Sequence, residues 1–292
     1  MQEMRPQDGD LLQKIEQAYK TMSKGQKQIA RYILENYDKA AFVTASKMGS
    51  VVGVSESTVV RFAYALGYDG YPELQRSLQE FIRNKLTSVQ RIEVASDQFG
   101  NQDVVSSVLQ RDANAIRMTS DALDRGQMAR AVEAILAARH IYIVGVRSSA
   151  ALANYLNFYF RNIFDNVRLV SSTATSEMFE QLLRVGKEDV VIGISLPRYS
   201  SRTVKLLQYA HDSGATVVTI TDKPEAPGGK VADLVLCAKS NMVSFVDSLV
   251  APMSVINALI VSVGLQQEDS VAKTYEDLER LWDEYDAFER VE

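Results

Sequence analysis

The stretch VVIGISLPRYSSRTVKLLQYAHDSGATVVTITD, residues 190–222, decides the fold of the longer part of this 292-residue chain. Residues 190–194 form an apolar run that is typical of a buried parallel strand, and residues 216–220 form another. Between them, residues 203–211 repeat apolar side chains at helical spacing. The stretch therefore predicts a strand–helix–strand unit. The loop that begins at Ser195 then lies at the carboxyl edge of a sheet, where ligands usually bind.

Further apolar runs of the same kind extend this unit to five strands, at residues 140–144, 167–170, 190–194, 216–220 and 234–237. Helical stretches lie between the runs, and two more helices, residues 103–123 and 127–138, precede them. Strands that alternate with helices predict an α/β domain with a doubly wound parallel sheet, which we expect over residues 103–269.

The N-terminal part, residues 1–85, has a different pattern and is predicted to be an all-α domain. Apolar residues recur at helical spacing in five short segments, residues 11–19, 24–36, 44–52, 55–66 and 71–84. In TASKMGSVVGVSESTVVRFAYALGYDGY, residues 44–71, Thr44 and Ser55 are suited to cap two consecutive helices, and Gly53 is suited to break the first. Two helices joined by a tight glycine-containing turn predict a helix-turn-helix.

Two segments lie outside these predicted domains. Residues 86–102 lose the helical periodicity and are rich in Ser, Asn, Asp and Gln, which predicts a linker. Residues 270–292 predict a C-terminal amphipathic helix with an apolar seam formed by Val271, Tyr275, Leu278, Trp282 and Tyr285. This seam packs either on its own α/β domain or on a second copy of the chain.

The net charge of −5 conceals an asymmetry along the chain. Residues 11–85 carry a balance of +4, residues 1–10 carry −2 and residues 86–292 carry −7. A basic segment attached to an acidic body favours a nucleic-acid-binding module, although an excess of this size is also common on a solvated surface.

The exposed N-terminal residues of the second helix of a helix-turn-helix face base edges in the major groove. Ser55, Ser57 and Thr58 supply hydroxyls there that fit close to DNA. Glu56 supplies a carboxylate that can accept from cytosine, and Arg61 can bind guanine or phosphate. Lys24, Lys27 and Lys47 are predicted to contact phosphates. The alternative is that Ser55 and Thr58 only start the helix and that Arg61 is solvated.

These residues also carry a family resemblance. ASKMGSVVGVSES and the following TVVRFAYALGYDGYPELQRSL, residues 45–78, resemble the N-terminal helix-turn-helix domain of the RpiR family of bacterial transcription regulators. The preceding MSKGQKQIARYILENYDKAAFVTA is similar to that domain as well, so the resemblance covers roughly residues 10–85. It implies double-stranded operator DNA as a partner. It also implies a second domain of the sugar isomerase (SIS) type that senses a phosphorylated sugar.

The first strand of the α/β domain runs into a loop and a helix in IYIVGVRSSAALANYLNFYF, residues 141–160. Backbone N–H groups at the start of that helix, with the hydroxyls of Ser148 and Ser149, are suited to bind a phosphate. Arg147 stands where a dinucleotide-binding loop needs its second glycine, which argues against a Rossmann dehydrogenase. The loop resembles the GxGxS loop of SIS domains, which Gly145 and Ser149 match. Arg147 departs from it, and either closes the site or contacts the ligand phosphate.

The loop SLPRYSS, residues 195–201, resembles the SxSGxT phosphate loop of SIS domains. Ser195 matches the first serine and Ser200 the threonine, while Pro197 and Arg198 replace the usual serine and glycine. Arg198 is suited to compensate for the lost hydroxyl, because arginine binds phosphate through two hydrogen bonds. The alternative is a solvated loop with a structural role only.

An isomerase would need a base beside the sugar carbonyl. Glu177, after the second strand, is the candidate whose position suggests the pocket, although a carboxylate at a helix start also interacts favourably with the helix dipole. His140 begins a strand away from the ligand edge, and His211 falls near the end of a helix. We therefore predict a sensor that is not an enzyme and needs no cofactor. The alternative is a sugar-phosphate isomerase, or another phosphosugar enzyme, with an accessory helical domain.

Composition adds a few constraints. A single cysteine, Cys237, excludes an internal disulfide framework, and two histidines leave little material for a metal site. No apolar run is long enough to cross a bilayer and the N-terminus lacks a signal-like apolar core, so we expect a cytoplasmic protein. The predicted function is a transcription regulator, a homodimer or homotetramer, that responds to a sugar phosphate. The sugar, the operator and the direction of the response stay open.

Overall fold

The structure is a computed structural model that describes residues 11–83, 86–99, 103–240, 242 and 245–289. The chain divides into two compact units. The first comprises Met1–Ser107 together with Met242–Asp247, and the second comprises Val108–Asn241 together with Ser248–Glu292. A short segment from late in the chain therefore belongs to the first unit.

The first unit is all-α, as the sequence predicts. Its helices α1 to α7 span Leu11–Ala18, Lys24–Glu35, Tyr37–Ala40, Ala45–Val52, Glu56–Ala65, Tyr71–Arg83 and Ser88–Phe99. The five predicted helices are confirmed, and the short α3 is added after the second of them. The apolar faces of the helices form one core, whose fully buried members include Ile29, Ile33, Met48, Phe62 and Leu74.

Local hydrogen bonds determine where these helices begin. The Ser23 hydroxyl accepts from the Gln26 amide at the start of α2, and the Gln26 side chain accepts from the Ser23 amide. Thr44 Oγ1 accepts from the Lys47 amide at 3.2 Å and caps α4, as predicted. Gly53 ends α4 with a φ of 77°, in the left-handed region that glycine adopts without strain. Helix α4, this turn and α5 form the predicted helix-turn-helix.

Helix α7 occupies most of the predicted linker, of which residues 100–102 lie outside the described residues. The loss of periodicity in the sequence is misleading here, because one of the buried positions of α7 is charged. Arg91 faces inward with Val94, and its ion-pair partner, Asp247, lies 156 residues further along the chain. A pairing over that separation cannot be predicted from the local sequence around Arg91. The domain boundaries expected from the sequence stay a prediction.

The second unit is an α/β domain with a five-stranded parallel sheet, which confirms the predicted fold class. Strands β1 to β5 span Ile141–Gly145, Val167–Val170, Val190–Ile194, Thr216–Thr221 and Leu234–Cys237. Helices α8 to α14 span Val104–Ala122, Arg125–Ala137, Ser149–Phe160, Thr175–Gln181, Ser201–Asp212, Val250–Gln266 and Glu268–Glu284. The first turn of α8, up to Ser107, is assigned to the first unit. The strand order is β2-β1-β3-β4-β5, and every neighbouring pair is parallel.

Successive residues of each strand point to opposite faces of the sheet, and both faces are covered by helices. Ile141 and Ile143 of β1 belong to one core with residues of α9, α10 and α13. Tyr142 and Val144 belong to another core with residues of α11 and α12. The helix that follows β1 and the helix that follows β3 therefore lie on opposite faces.

A buried carboxylate stabilises the amino edge of the sheet. Asp189, which is fully buried, accepts hydrogen bonds from Arg139 Nη2 at 2.7 Å, Arg139 Nε at 3.0 Å and the Gly186 amide at 2.8 Å. His140 Nδ1 lies 3.2 Å from the same carboxylate. Burial raises the pKa of Asp189, but the hydrogen bonds from Arg139, Gly186 and His140 outweigh burial and bring the pKa below its ordinary value.

Helix α14 lies where the amphipathic helix of residues 270–292 is predicted, ends at Glu284 and has no buried residue. Its seam is half-buried except for Tyr285, which is exposed. Tyr275 accepts a hydrogen bond from Asn162 Nδ2 at 3.5 Å, so part of the seam lies against its own unit. Among the described residues no single helix is long and apolar enough to cross a membrane; α13 and α14 reach that length only as a pair bent by 100°.

Candidate functional site

Three of the predicted base-contacting residues, Ser55, Ser57 and Thr58, form a compact hydroxyl cluster at the start of α5. Ser55 caps the helix, because its Oγ accepts from the Thr58 amide at 3.3 Å. The same Oγ lies 2.9 Å from Ser57 Oγ and 2.8 Å from Thr58 Oγ1. Ser55 therefore has the structural role weighed as the alternative, and it also orients the hydroxyls of Ser57 and Thr58. Each hydroxyl keeps lone pairs for a further contact.

The exposed face of α5 continues beyond the predicted residues. Glu56, Ser57 and Arg61 are exposed, whereas the opposite face is buried in the core. Tyr64 is 59% exposed and lies three residues after Arg61, which itself lies four residues after Ser57, so Tyr64 is on the same face. Tyr64 is not among the residues predicted to contact DNA, although its spacing from Arg61 is a usable signal. An exposed tyrosine beside an arginine adds a hydrogen-bonding group to this surface.

Basic side chains of α2 lie next to this face. Gly25, at the start of α2, packs against Thr58 so closely that an added Cβ would lie 3.1 Å from Thr58 Cγ2. Lys24 and Lys27 lie on the same turn of α2 as Gly25, and together with Arg31 they line a cavity of about 720 Å³. Lys47 is exposed in the first turn of α4. The helix-turn-helix and the start of α2 therefore bring cations and hydroxyls to one part of the first unit.

In the second unit, the two predicted phosphate loops meet at one edge of the sheet. Strands β1 and β3 are neighbours in the middle of the sheet, and Gly145 of β1 pairs with Ile194 of β3. Because α10 and α12 lie on opposite faces, the loops that lead to them diverge at the carboxyl ends of these strands, where open α/β sheets form a crevice. Such a crevice is the usual ligand site in open α/β sheets.

The loop after β1 departs from its expected pattern at Arg147, which is exposed and has a φ of 57°. This left-handed backbone is strained for any residue but glycine, which explains why glycine suits this position. Gly145 is required for a different reason, because an added Cβ would lie 2.7 Å from the carbonyl oxygen of Ser149. Ser148 is exposed and makes no side-chain cap, while Ser149 is 6% exposed.

The loop after β3 carries two hydroxyls, those of Ser195 and Ser200, at the carboxyl edge of the sheet. Ser195 is 2% exposed, and its Oγ has no hydrogen-bond partner among the described residues. Ser200 precedes α12 and makes no side-chain cap. Arg198 is exposed between them. Thr221 Oγ1 donates to the Ser195 carbonyl at 2.7 Å and so fixes the backbone of this loop.

The loop after β2 brings Glu177 and an unexpected arginine toward the same edge. Glu177 is exposed and accepts a hydrogen bond from Ser172 Oγ, so it stabilises its own loop. Arg202, in the first turn of α12, donates from Nη1 to the Thr173 carbonyl at 3.3 Å. Arg202 is not among the predicted site residues, because its closeness to this loop depends on the packing of α11 beside α12.

The two histidines lie away from this edge. His140 is next to Asp189 at the amino edge of the sheet, and His211 Nδ1 lies 3.7 Å from Asp233 Oδ1. Among the residues that the structure describes, no group of three or more His, Cys, Asp or Glu side chains could hold a metal ion.

Two family models match the chain. Residues 9–85 match the helix-turn-helix domain of the rpiR family, and residues 134–262 match the SIS domain. The first match contains α1 to α6, and the second contains the five strands and their loops.

Related proteins are similar to most of the chain. A protein of Caldanaerobacter subterraneus subsp. tengcongensis, named as an HTH-type transcriptional regulator, is 26% identical over 275 residues, which cover 91% of this chain and 95% of that protein. A protein of Haemophilus influenzae with the same designation is 29% identical over 231 residues, 78% of this chain and 79% of that protein.

Solved structures share the fold. The sugar isomerase domain of an RpiR transcription factor from Sphaerobacter thermophilus has a TM-score of 0.59 and 25% identity, and covers 61% of this chain and 99% of its own. The Vibrio vulnificus NanR protein, complexed with ManNAc-6P, has a TM-score of 0.56 and 23% identity, and covers 93% of this chain and 98% of its own.

Proposed function

Since this chain belongs to the RpiR family of transcription regulators, with an N-terminal helix-turn-helix domain and a C-terminal SIS domain, we propose that it binds double-stranded operator DNA through α5 and senses a sugar phosphate. Binding of the sugar phosphate changes operator affinity. This requires the effector to bind one arrangement of the protein more tightly than another, because equal affinity for both would shift nothing.

The exposed start of α5 supports the proposed contact with DNA. Its hydroxyl cluster and Arg61 suit base edges, and the cations of α2 and α4 suit phosphates. The DNA-contacting residues of the proposal are Lys47, Ser55, Glu56, Ser57, Thr58 and Arg61, with Tyr64 added from its exposure.

The observation that carries the proposed effector site is the buried, unpartnered hydroxyl of Ser195, which directly follows β3 at the carboxyl edge of the sheet. A buried hydroxyl without a partner is costly, and a phosphate oxygen would supply one. The loop cations and the start of α10 favour an anion there. The proposed phosphosugar-binding residues are Arg147, Ser148, Ser149, Glu177, Ser195, Arg198 and Ser200. The structural relative that holds ManNAc-6P supports a sugar phosphate as the ligand class.

We propose a sensor rather than an isomerase. Glu177, the candidate base, is engaged by Ser172, and the relatives are named as transcriptional regulators. Turnover of hexose and pentose phosphates that Glu177→Gln abolishes would favour the isomerase. The regulator acts as a homodimer or homotetramer, because helix-turn-helix proteins read two-fold symmetric operators. It acts in the cytoplasm.

A thermal-shift screen against sugar phosphates, each paired with its unphosphorylated sugar, tests the proposed sensor. A ligand at 100 times its dissociation constant adds about 2.7 kcal/mol to the free energy of unfolding. The effector is then titrated into a complex of the full chain with a duplex selected from a random library, and anisotropy reports operator binding. Stabilisation by no sugar phosphate, or equal stabilisation by the matched unphosphorylated sugar, would contradict the proposed site.

A further inference from the structure

Three buried hydroxyls of the second unit have no hydrogen-bond partner among the described residues: Ser195 Oγ, Thr203 Oγ1 and Thr219 Oγ1. The three residues are 2%, 1% and 0% exposed, respectively. They come from the loop after β3, the first turn of α12 and the middle of β4. A buried hydroxyl without a partner is costly, so three of them require an explanation, and a common one if they lie together.

Strand register places Thr219 and Ser195 on one face of the sheet. Thr219 of β4 pairs with Gly193 of β3, and Ser195 follows Gly193 by two residues. The Ser195 amide donates to the Ile220 carbonyl at 3.0 Å, so the strand geometry continues through Ser195. A Cβ added to Gly193 would lie 2.5 Å from Leu207 Cδ2 on α12. Ser195 and Thr219 therefore point to the face that α12 covers.

Helix α12 brings Thr203 to the same region. Thr203 precedes Leu207 by four residues, about one helical turn, and both are buried. One turn of helix rises about 5.4 Å, and two residues of a parallel strand span about 6.6 Å. Because α12 runs back from the carboxyl edge of the sheet, Thr203 lies over Ser195 much as Leu207 lies over Gly193.

The loop after β4 closes this region. A Cβ added to Gly228 would lie 3.1 Å from Ser195 Cβ, 3.3 Å from Ser195 Oγ and 3.2 Å from Thr219 Cγ2. The φ of Gly228 is −72°, which any residue adopts, so it is the close approach that favours glycine here. The short 3₁₀ turn that follows, Gly229–Val231, packs against α12 and β4. We call the region that the three hydroxyls line the hydroxyl pocket.

We propose that the hydroxyl pocket binds one ordered water molecule, which bridges Ser195, Thr203 and Thr219. A buried water typically makes about three hydrogen bonds to polar groups that otherwise lack partners. Three hydroxyls carry no net charge, which disfavours a cation in so buried a position. The close approach of Gly228 favours a ligand no larger than water.

This water determines the direction of the Ser195 hydroxyl. Ser195 Oγ has one hydrogen and two lone pairs, and a phosphate dianion only accepts hydrogen bonds. A water that donates to Ser195 Oγ uses a lone pair and leaves the hydrogen for the phosphate of the effector. Thr203 and Thr219 are then positioning residues, because they hold the water. This consequence rests on the proposed function, whereas the binding of the water does not.

A high-resolution crystal structure of the full chain without effector tests for the water directly. We expect one water within hydrogen-bond distance of at least two of the three hydroxyls. A pocket without a water, or hydroxyls that pair directly with one another, would overturn the proposal.

Denaturant unfolding of two valine variants tests whether the hydroxyls share one partner. Thr203→Val and Thr219→Val each remove a hydroxyl and keep the shape of the side chain, and each should raise the unfolding equilibrium constant of the second unit about fivefold. Because both hydroxyls bind the same water, the double variant should raise the constant by much less than the roughly 25-fold expected of independent sites. Hydroxyls without any partner give the opposite sign, since valine then removes an unsatisfied group.

Thr216→Val is the matched control for the change from threonine to valine on β4. Thr216 is half-buried at the amino end of the same strand, and we expect the unfolding constant to change by less than about twofold. A lower unfolding constant in either pocket variant, a multiplicative double variant, or an equal effect of Thr216→Val and Thr219→Val would contradict a shared water.

Isothermal titration with the sugar phosphate identified by the thermal-shift screen tests the positioning role. Thr219→Val should bind it about fivefold more weakly, whereas Thr219→Ser, which keeps the hydroxyl, should bind it within about twofold of the wild type. The matched unphosphorylated sugar should bind Thr219→Val and the wild type equally. Equal affinity of Thr219→Val and the wild type for the sugar phosphate would refute the positioning role.

The experiments separate this inference from the proposed function. A wild-type chain that binds no sugar phosphate would refute the proposed sensor, while the crystal structure and the valine variants would still decide whether the pocket holds a water. If Thr219→Val unfolds the second unit, Thr203→Val and Thr203→Ser allow the same titration, because Thr203 holds the water from α12.

Discussion

The two proposed sites differ in how their residues come together. The DNA site is local, because Ser55, Ser57 and Thr58 are joined by hydrogen bonds within one helical turn and Arg61 follows on the same face. The phosphosugar site is assembled from loops that follow three different strands. Its geometry depends on strand order and on which face each helix covers. A local site tolerates changes elsewhere in the fold, whereas an assembled site depends on the whole sheet.

The largest expected effect tests whether the assembled site depends on the sheet. Asp189→Asn removes a buried charge that Arg139 and the Gly186 amide satisfy, at the edge of the sheet opposite the proposed effector site. We expect the second unit to lose about 3 kcal/mol of unfolding free energy, at the low end for a buried pair because Arg139 is partly exposed. Denaturant unfolding measures the loss. Weaker effector binding with unchanged DNA affinity would support the view that only the phosphosugar site depends on the sheet. Equal losses of affinity at both sites would contradict it.

The same residue predicts a dependence on pH. Because the pKa of Asp189 is lower in the folded than in the unfolded chain, its contribution to stability is present above the ordinary Asp value of about 3.9. That contribution is lost as the pH falls through the lower folded value. The wild type should therefore lose more stability than Asp189→Asn between about pH 4 and acid unfolding. Parallel pH curves for the two proteins would contradict this.

The double variant Ser195→Ala, Ser200→Ala tests the assembled site directly. Loss of two hydroxyl contacts to a phosphate should weaken effector binding about 100-fold, or about 2.7 kcal/mol, without changing operator affinity in the absence of effector. Isothermal titration and anisotropy on the same preparations measure the two activities. The unphosphorylated sugar, which we expect to bind at least about tenfold more weakly, should be insensitive to the change. Full effector affinity in the folded double variant would place the phosphate elsewhere.

Arg61→Ala tests the local site. We expect a loss of about 2 kcal/mol on the selected duplex and relaxed preference at one base pair, because an arginine that contacts guanine discriminates among bases. Lys47→Ala is the control on the neighbouring helix. Acting on phosphate, it should weaken all duplexes alike and reduce the salt slope by about one unit. Unchanged binding in Arg61→Ala would exclude α5 as the recognition helix.

The smallest expected effect separates the backbone strain at Arg147, in the loop after β1, from the role of its positive charge. Arg147→Gly relieves the left-handed strain at a φ of 57° but makes the unfolded chain more flexible, so we expect a net stabilisation of about 0.5 kcal/mol. If Arg147 contacts the effector phosphate, the same variant binds the effector more weakly. If Arg147 closes the site, it binds more tightly. Thermal unfolding and titration of one variant therefore choose between the alternatives that the sequence left open.

Much of the fold was predictable from particular patterns in the sequence. Apolar runs of strand length identified all five strands, and hydroxyl residues before apolar helical segments identified the starts of α4 and α5. The common edge of the two loops proposed to bind phosphate followed as well, since the carboxyl ends of parallel strands share one edge. Tyr64 could have been predicted from its spacing after Arg61. Arg202 could not, because its position near the loop after β2 depends on tertiary packing.

By itself, the sequence determined the helices and strands whose buried positions are apolar and the helix-turn-helix whose hydrogen bonds span three or four residues. Only the tertiary structure revealed α7, because its buried Arg91 is paired with a residue 156 positions away. Only the tertiary structure assigned Met242–Asp247 to the helical unit and joined Ser195 to Thr221 and Ala238. The physical reason is the range of the interactions. Periodicity and caps act over a few residues, whereas a buried charge is satisfied by whichever partner the folded chain brings to it.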